Sequence, residues 1–318
     1  MGIAIRPLDY ETDLPEVVAL HNQSYAEQIT PETIREWQRN MQAGGVRHRL
    51  CAVNEQGAII GYGHAVRDPF MADGLYWLNV VVDQAHRNRG YGQQLYQTLV
   101  AYVSERGATH LRAEVRDDHP EYLRFAKDCG FQIERHLFES TLDLATFDES
   151  RFAGAVERIE ASGIRFFSVA DLGNTEEAQR KLWEINTRTG NDVPGGSSDA
   201  RRPFEVFQQQ VCGASWYRAD GEILAADGEQ IIGLSALGYF ENADGPYMFV
   251  MMTGVDRAYR GRGIALALKL VAIRCARRYQ AKFLHTSNDA ENAPMLAINR
   301  KLGFRPEPGN YRLLRPSL

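Results

Sequence analysis

The feature that most constrains this chain is that it matches itself. Displaced by 173 positions, so that Val82 falls on Val255, residues from about 78 to 131 align with a later segment without a gap. Asp83 and Ala85 fall on Asp256 and Ala258, and Arg87, Arg89 and Gly90 on Arg260, Arg262 and Gly263. Leu95 meets Leu268, and Gly130-Phe131 meets Gly303-Phe304. Ile59–His64 resembles Ile231–Ala236 at a displacement one residue shorter. Periods of roughly 20–50 residues mark solenoids, whereas a period this long marks a duplicated domain. A length of 318 residues fits two such domains.

Each half reads as the same α+β unit. An N-terminal strand (Ile3–Pro7; Ile164–Ala170) leads into amphipathic helices, then a hairpin whose turns are Glu55-Gln-Gly57 and Asp227-Gly228. An apolar strand follows (Tyr76–Val82; Tyr247–Val255), then a polar, glycine-containing turn. Next comes a long helix with Leu95, Leu99 and Val103 on one face and Gly107 as its stop. A further strand (Leu111–Val115; Phe283–Thr286), a short helix and a final hairpin complete each unit. The sequence therefore divides into an N-terminal domain over 1–148, a linker over 149–163 and a C-terminal domain over 164–318.

Composition removes several function classes. The formal net charge is -5, unlike the strongly basic domain of a general nucleic-acid binder. The four cysteines, Cys51, Cys129, Cys212 and Cys275, are too scattered for a zinc or redox pair, so no metal is expected. No run approaches the ~18–20 apolar residues of a membrane span, and the N-terminus lacks a signal-peptide core. A cytoplasmic protein with no membrane partner is expected.

The turn before the long helix carries the chemistry. It reads Arg87-Asn88-Arg89-Gly90-Tyr91-Gly92 in one half and Arg260-Gly261-Arg262-Gly263-Ile264-Ala265 in the other. Such a turn leaves backbone N–H groups pointing out of a helix N-terminus, where the macrodipole favours an anion. Gly90 and Gly263 let a pyrophosphate approach the backbone, and the arginines add charge-assisted contacts. A dinucleotide fold is the nearest competitor, but the third glycine and the βαβ order are missing.

The Arg-x-x-Gly-x-(Gly/Ala) turn, following Val80-Val-Val-Asp83 or Thr253-Gly-Val-Asp256, resembles the acetyl-CoA motif of the GNAT superfamily of N-acetyltransferases. The likeness extends over nearly all of both halves. The segments Thr286–Met295 and Asn299–Phe304 are similar to the C-terminal unit of tandem GNAT proteins, the mycothiol synthase-like group. This resemblance implies two tandem acyl-CoA N-acyltransferase folds, each a mixed, mostly antiparallel twisted sheet flanked by helices. It implies that the apolar strand splays from its neighbour at a bulge. Pantetheine would then lie along Val80, Val81 and Val82, and along Thr253, Gly254 and Val255, with the Val80 or Thr253 amide facing the thioester oxygen. It further implies that Asn292, with help from Asn288, contacts the cofactor arm.

Two expected parts are missing. Many GNAT enzymes carry an acidic tyrosine four residues before the Gly-Phe glycine, where this chain has Ala126 and Asn299. Tyr122, one turn earlier, is either a substitute or packing. Glu114, His64, Glu241 and His285 lie near the expected clefts, but none is singled out as a base, and the catalytic residues stay unassigned. The segment Asn186–Arg202, with Asp192 and Asp199, is read as an acceptor loop or as plain surface. The activity expected is acetyl transfer from acetyl-CoA to a small-molecule or peptide amine by direct attack, with the C-terminal unit favoured because its asparagines are fuller. The rivals are a non-catalytic acetyl-CoA-binding or sensing protein, and an acyltransferase using a longer acyl-CoA.

Overall fold

The computed structural model describes residues 2–25, 28–39, 41, 44–69, 71–193, 203–243 and 245–318. The chain forms two compact units, Met1–His136 with Asn310–Leu318, and Leu137–Gly309.

The first unit runs β1 (Ala4–Pro7), α1 (Leu14–Ser24), α2 (Pro31–Arg39), β2 (Val46–Val53), β3 (Ile59–Arg67), β4 (Leu75–Val82), α3 (Tyr91–Ser104), β5 (His110–Arg116) and α4 (Pro120–Asp128). β1 to β4 are antiparallel neighbours, and β4 pairs in parallel with β5. Asn54 closes the β2–β3 turn, its side-chain oxygen accepting from the amides of Gln56 and Ala58. The period-3.6 face of α3 puts Leu95, Leu99 and Val103 fully inside, against Ala52, Tyr76 and Leu111. Each such side chain contributes about 1.5–3 kcal/mol by leaving water. On the other face of the sheet α1 and α2 bury Leu14, Val17 and Ile34 against Cys51, Tyr62 and Val81.

After β6 (Gln132–Asp143), the second unit continues with α5 (Ala155–Glu160), β7 (Ile164–Ser168), α6 (Glu176–Gly190), α7 (Phe204–Phe207), β8 (Tyr217–Asp227), β9 (Gln230–Asn242), β10 (Gly245–Val255), α8 (Ile264–Arg278), β11 (Phe283–Asp289), α9 (Ala293–Leu302) and the short β12 (Arg305–Pro306). β7 to β10 are antiparallel, and β10 pairs in parallel with β11. One face packs on α8 through Leu268, Ala272 and Ile273, and the other on α6 and α7 through Leu182, Ile185 and Phe207.

Both units therefore have the expected mixed sheet between helical layers, but their boundaries are not those of the repeat. β5 pairs with β13 (Asn310–Arg315), from the far end of the chain, and β11 pairs with Leu137–Asp143 of β6. Strand pairing satisfies backbone groups whatever the side chains are, so a free sheet edge accepts any extended segment that reaches it. The stretch read as a linker, 149–163, is also part of the second unit. Phe152 and Val156 are buried in its core, and Glu149 takes ion pairs from Arg274 (2.6 Å) and Arg277 (3.1 Å). Among the described residues no helix is long and apolar enough to cross a membrane.

Candidate functional site

The two glycine turns have one architecture. Asp83 and Asp256 each accept from the amide two residues on, Ala85 or Ala258, nucleating a short 3₁₀ turn. Arg87 and Arg260 then fold back, each donating its Nε–H to the last strand carbonyl, Val82 at 3.0 Å and Val255 at 2.9 Å. Arg89 and Arg262 reach the carbonyls of Ala85 and Ala258. The backbone is left-handed at Asn88 (φ 61°) and Gly90 (φ 81°), and at Gly261 (φ 77°) and Gly263 (φ 86°). Left-handed residues alternating with right-handed ones make a concave nest of N–H groups, here at the start of α3 and of α8. Glycine is needed at the helix caps because an L side chain is strained at such φ.

Beside the first turn the sheet opens. β4 and β5 pair only from Leu75–Trp77 to His110–Arg112, and beyond that the strands part. The resulting cleft, of about 510 Å³, is lined by Val80, Val81, Val82, Arg87, Asn88, Gly90, Tyr91 and Gly92. Ser24, Tyr25, Glu114, Val115, Tyr122 and Ala126 complete its walls. The expected bulge is absent here, because the β3–β4 ladder runs without a shift from Gly61–Val82 to Val66–Trp77. In the second unit the bulge is present. Between Val250 and Met252 the β9–β10 register slips by one, leaving Met251 extra. β10 and β11 pair from Tyr247–Phe283 to Val250–Thr286, so Thr253, Gly254 and Val255 lie beyond the paired stretch. A Cβ on Gly254 would sit 2.4 Å from Thr189, which explains the glycine.

A β-strand splayed from its parallel neighbour, running into an N–H nest at a helix start, appears twice. Residues 14–131 and 191–304 match the acetyltransferase (GNAT) family. The chain belongs to the GNAT acetyltransferase family. It is similar to the mycothiol acetyltransferase of Saccharomonospora viridis, 29% identical over 269 residues that cover 82% of this chain and 81% of the relative. Solved structures share the fold. One is a GCN5-related glucosamine N-acetyltransferase region of a fungal multi-domain GH3 β-N-acetylglucosaminidase (TM-score 0.72, 15% identity, 98% of this chain, 38% of that one). Another is a tandem GNAT protein from the clavulanic acid biosynthesis pathway (TM-score 0.67, 19% identity, 98% of each chain). As a GNAT protein this chain is an acyl-CoA-dependent N-acetyltransferase, and acetyl-CoA is the co-substrate the family uses.

The two GNAT units differ in what surrounds their glycine turns. In the first, no carboxylate pairs with Arg87 or Arg89 among the described residues, and the Arg87 guanidinium lies 5.1 Å from the centre of the Tyr122 ring. In the second, Asp192 at the end of α6 holds both Arg257 and Arg260, the latter at 2.5 Å. These contacts, Arg257 foremost, keep the Asp192 carboxyl below its ordinary range. The rest of that loop, 194–202 with Asp199, lies outside the described residues. Asn292 caps α9, accepting from the Met295 amide. Asn288 is buried, donating to Ser140 (2.8 Å) and accepting from Asn299 (2.7 Å).

Glu222, which no sequence motif marks, is a buried carboxyl. It is 1% exposed on β8, one carboxylate oxygen has no hydrogen-bond partner among the described residues, and burial pushes its carboxyl up to about 8. Its row across the sheet is Glu222–Ala236–Met252, so it shares a face with the bulge just before Thr253. Two strand spacings separate it from Met252, about 10 Å. The matching row in the first unit is Arg49–His64–Asn79. There the buried Arg49 donates to Tyr10 (2.7 Å) and Gln38, and His64 is pushed down to about 3 by burial and then by the Arg49 charge. Of the other groups named from sequence, Glu114 pairs with Arg312 and Glu241 accepts from Tyr239. His285 shares its Nδ1 with Thr141 (2.7 Å). Glu139, His285 and Glu307 bring ligand atoms within 4.8 Å of one another, a surface cluster that nothing beyond its spacing ties to a cation.

Proposed function

We propose that acetyl transfer takes place in the C-terminal unit, by direct attack of a bound primary amine on the acetyl-CoA thioester. The observation that carries this is the exchange of Glu222 for Arg49 at the same sheet position. An amine must lose a proton to attack, and a carboxylate near pH 8 in affinity is matched to that task. Glu222 takes the proton across its ~10 Å gap through water, as its distance from the β10 edge requires. The pyrophosphate rests in the nest at Gly261–Ala265, and the amide at Thr253 faces the developing oxyanion. No covalent enzyme intermediate is needed.

In the N-terminal unit the same position holds a guanidinium, and the neighbouring imidazole has little affinity for a proton. That unit keeps its cleft and its nest, which supports acetyl-CoA binding without transfer. The relatives named mycothiol acetyltransferases support trying a mycothiol-type amine first among acceptors. Steady-state transfer to an amine panel tests the reading. Glu222→Gln should lose turnover while Arg49→Gln keeps it, and the reverse pattern would move the active site to the first unit.

A further inference from the structure

The repeat carries side chains of one half onto the other at a displacement of 173 positions, and two such pairs differ in kind. Val115 and Ala126 line the first unit's cleft. Their counterparts are Asn288 on β11 and Asn299 on α9. These two amides are joined, Asn299 Nδ2 donating to Asn288 Oδ1 at 2.7 Å, and Asn288 is anchored in turn by Ser140 Oγ at 2.8 Å. The network stops one bond short. Asn299 is 2% exposed, and its Oδ1 has no hydrogen-bond partner among the described residues. A buried amide oxygen left without a donor destabilises a fold, and a well-packed protein rarely keeps one without reason. Apolar residues fill this wall in the first unit, so the fold itself does not require the amides.

The register says what faces them. Val250–Thr286 is the last pair of the β10–β11 ladder, so Asn288, two residues on, lies beyond it, where β10 runs through its bulge toward Thr253. That is the stretch of β10 assigned to the thioester end of the co-substrate, and the argument rests on that reading. Next to its sulfur, the pantetheine arm offers a secondary amide N–H and no other strong donor. We propose that the orphaned Oδ1 of Asn299 accepts the hydrogen bond of that pantetheine amide, with Asn288 as the positioning residue that fixes the Asn299 side chain. The second unit thereby holds the thioester arm by a contact that the first lacks.

The test converts one wall into the other. In the full chain, Asn288→Val with Asn299→Ala gives the second unit the apolar wall of the first. Two-site calorimetric titration should show the C-terminal affinity for acetyl-CoA falling about tenfold, the worth of one buried hydrogen bond. S-acetylpantetheine should weaken in parallel. Binding of 3′,5′-ADP, which has no pantetheine amide, should not change. The melting temperature without ligand should hold or rise, since the orphan is gone. Unchanged affinity for acetyl-CoA overturns the proposal, as does an equal loss for 3′,5′-ADP. A lowered melting temperature without ligand also overturns it, by showing that the pair serves the fold. Failure of the underlying site reading looks different: Gly263→Glu would then leave the C-terminal affinity intact.

Discussion

The two halves are one fold with opposite electrical settings around the same glycine turn and sheet row. In the N-terminal unit the glycine turn is open, Arg87 and Arg89 having no carboxylate partner among the described residues, while the sheet row Arg49–His64–Asn79 carries the buried Arg49. In the C-terminal unit the turn is engaged by Asp192 and the row carries the buried Glu222. Duplication preserves what the backbone must do and frees the side chains that select a reaction. In the function proposed above, the first unit holds an anion and the second moves a proton.

The largest effect expected is at the turns. Gly263→Glu places a carboxylate and its bulk where the pyrophosphate belongs, and acetyl transfer should fall by more than a hundredfold, over ~3 kcal/mol in co-substrate binding. Gly90→Glu should leave most of it. Both positions have positive φ, so any L residue adds backbone strain of about 1 kcal/mol, and Gly263→Ala and Gly90→Ala report that part separately. If Gly90→Glu were the variant that silenced the enzyme, the comparison would be inverted.

Second in size is Glu222→Gln, for which kcat should drop a hundredfold or more. The wild-type rate should rise with pH through about 8 as the carboxyl ionises, and the variant should lose that limb. Stability moves the other way. A carboxyl raised from its ordinary 4.5 binds fewer protons unfolded than folded over the window from 4.5 to 8, so the native state weakens as pH climbs through it. Denaturant melts of Glu222→Gln should show that slope flattened. An unchanged slope would mean that Glu222 is not held as described.

A smaller effect distinguishes the helices behind the turns. Tyr96 on α3 donates to the Cys129 carbonyl and takes a bond from Arg315. Its counterpart on α8 is Lys269, 2% exposed, its ammonium 5.0 Å from the centre of the Phe304 ring and, among the described residues, with no ion pair beside it. Burial pulls it down to about 7 from 10.5. Because the unfolded chain binds more protons between those values, stability should rise with pH across about 7 to 10.5, with the full penalty present below 7. Lys269→Met should therefore stabilise the protein by about 2–4 kcal/mol at pH 6, read by urea melts, and gain little at pH 10. Smallest is Asp192→Asn. Freed of their internal carboxylate, Arg257 and Arg260 should bind CoA several-fold more tightly in the C-terminal unit alone, by calorimetry. Weaker binding would show that Asp192 orients the arginines instead of competing for them.

What was legible in the sequence follows the same division. The turns could be read because an N–H nest demands glycine at fixed spacing, and the long helices because Leu95, Leu99 and Val103 recur with its period. Glu222 was not, since a glutamate at the start of an apolar run reads as the solvent end of a hairpin strand. Its burial depends on α6, α7 and the irregular pairing between Tyr217 and Glu222. The resemblance gives Asn288 as a helper at the co-substrate arm, and carries no sign of its hydrogen bonds to Ser140 and Asn299. The pairing of β5 with Asn310–Arg315 was illegible for a different reason. Alternation along a strand tells which face is buried, and carries no record of the neighbour.

That last pairing sets an order of assembly. A ribosome releases residues 1–136 long before Asn310–Leu318, yet these two stretches form one unit. The half that is synthesised first must therefore wait, its β5 edge uncovered, until the second half has been made. The Leu137–Gly309 unit, contiguous in the chain, can close as soon as it emerges. Loss of the final nine residues would leave that later-made unit whole and damage the earlier one. In this protein the beginning of the chain is finished by its end.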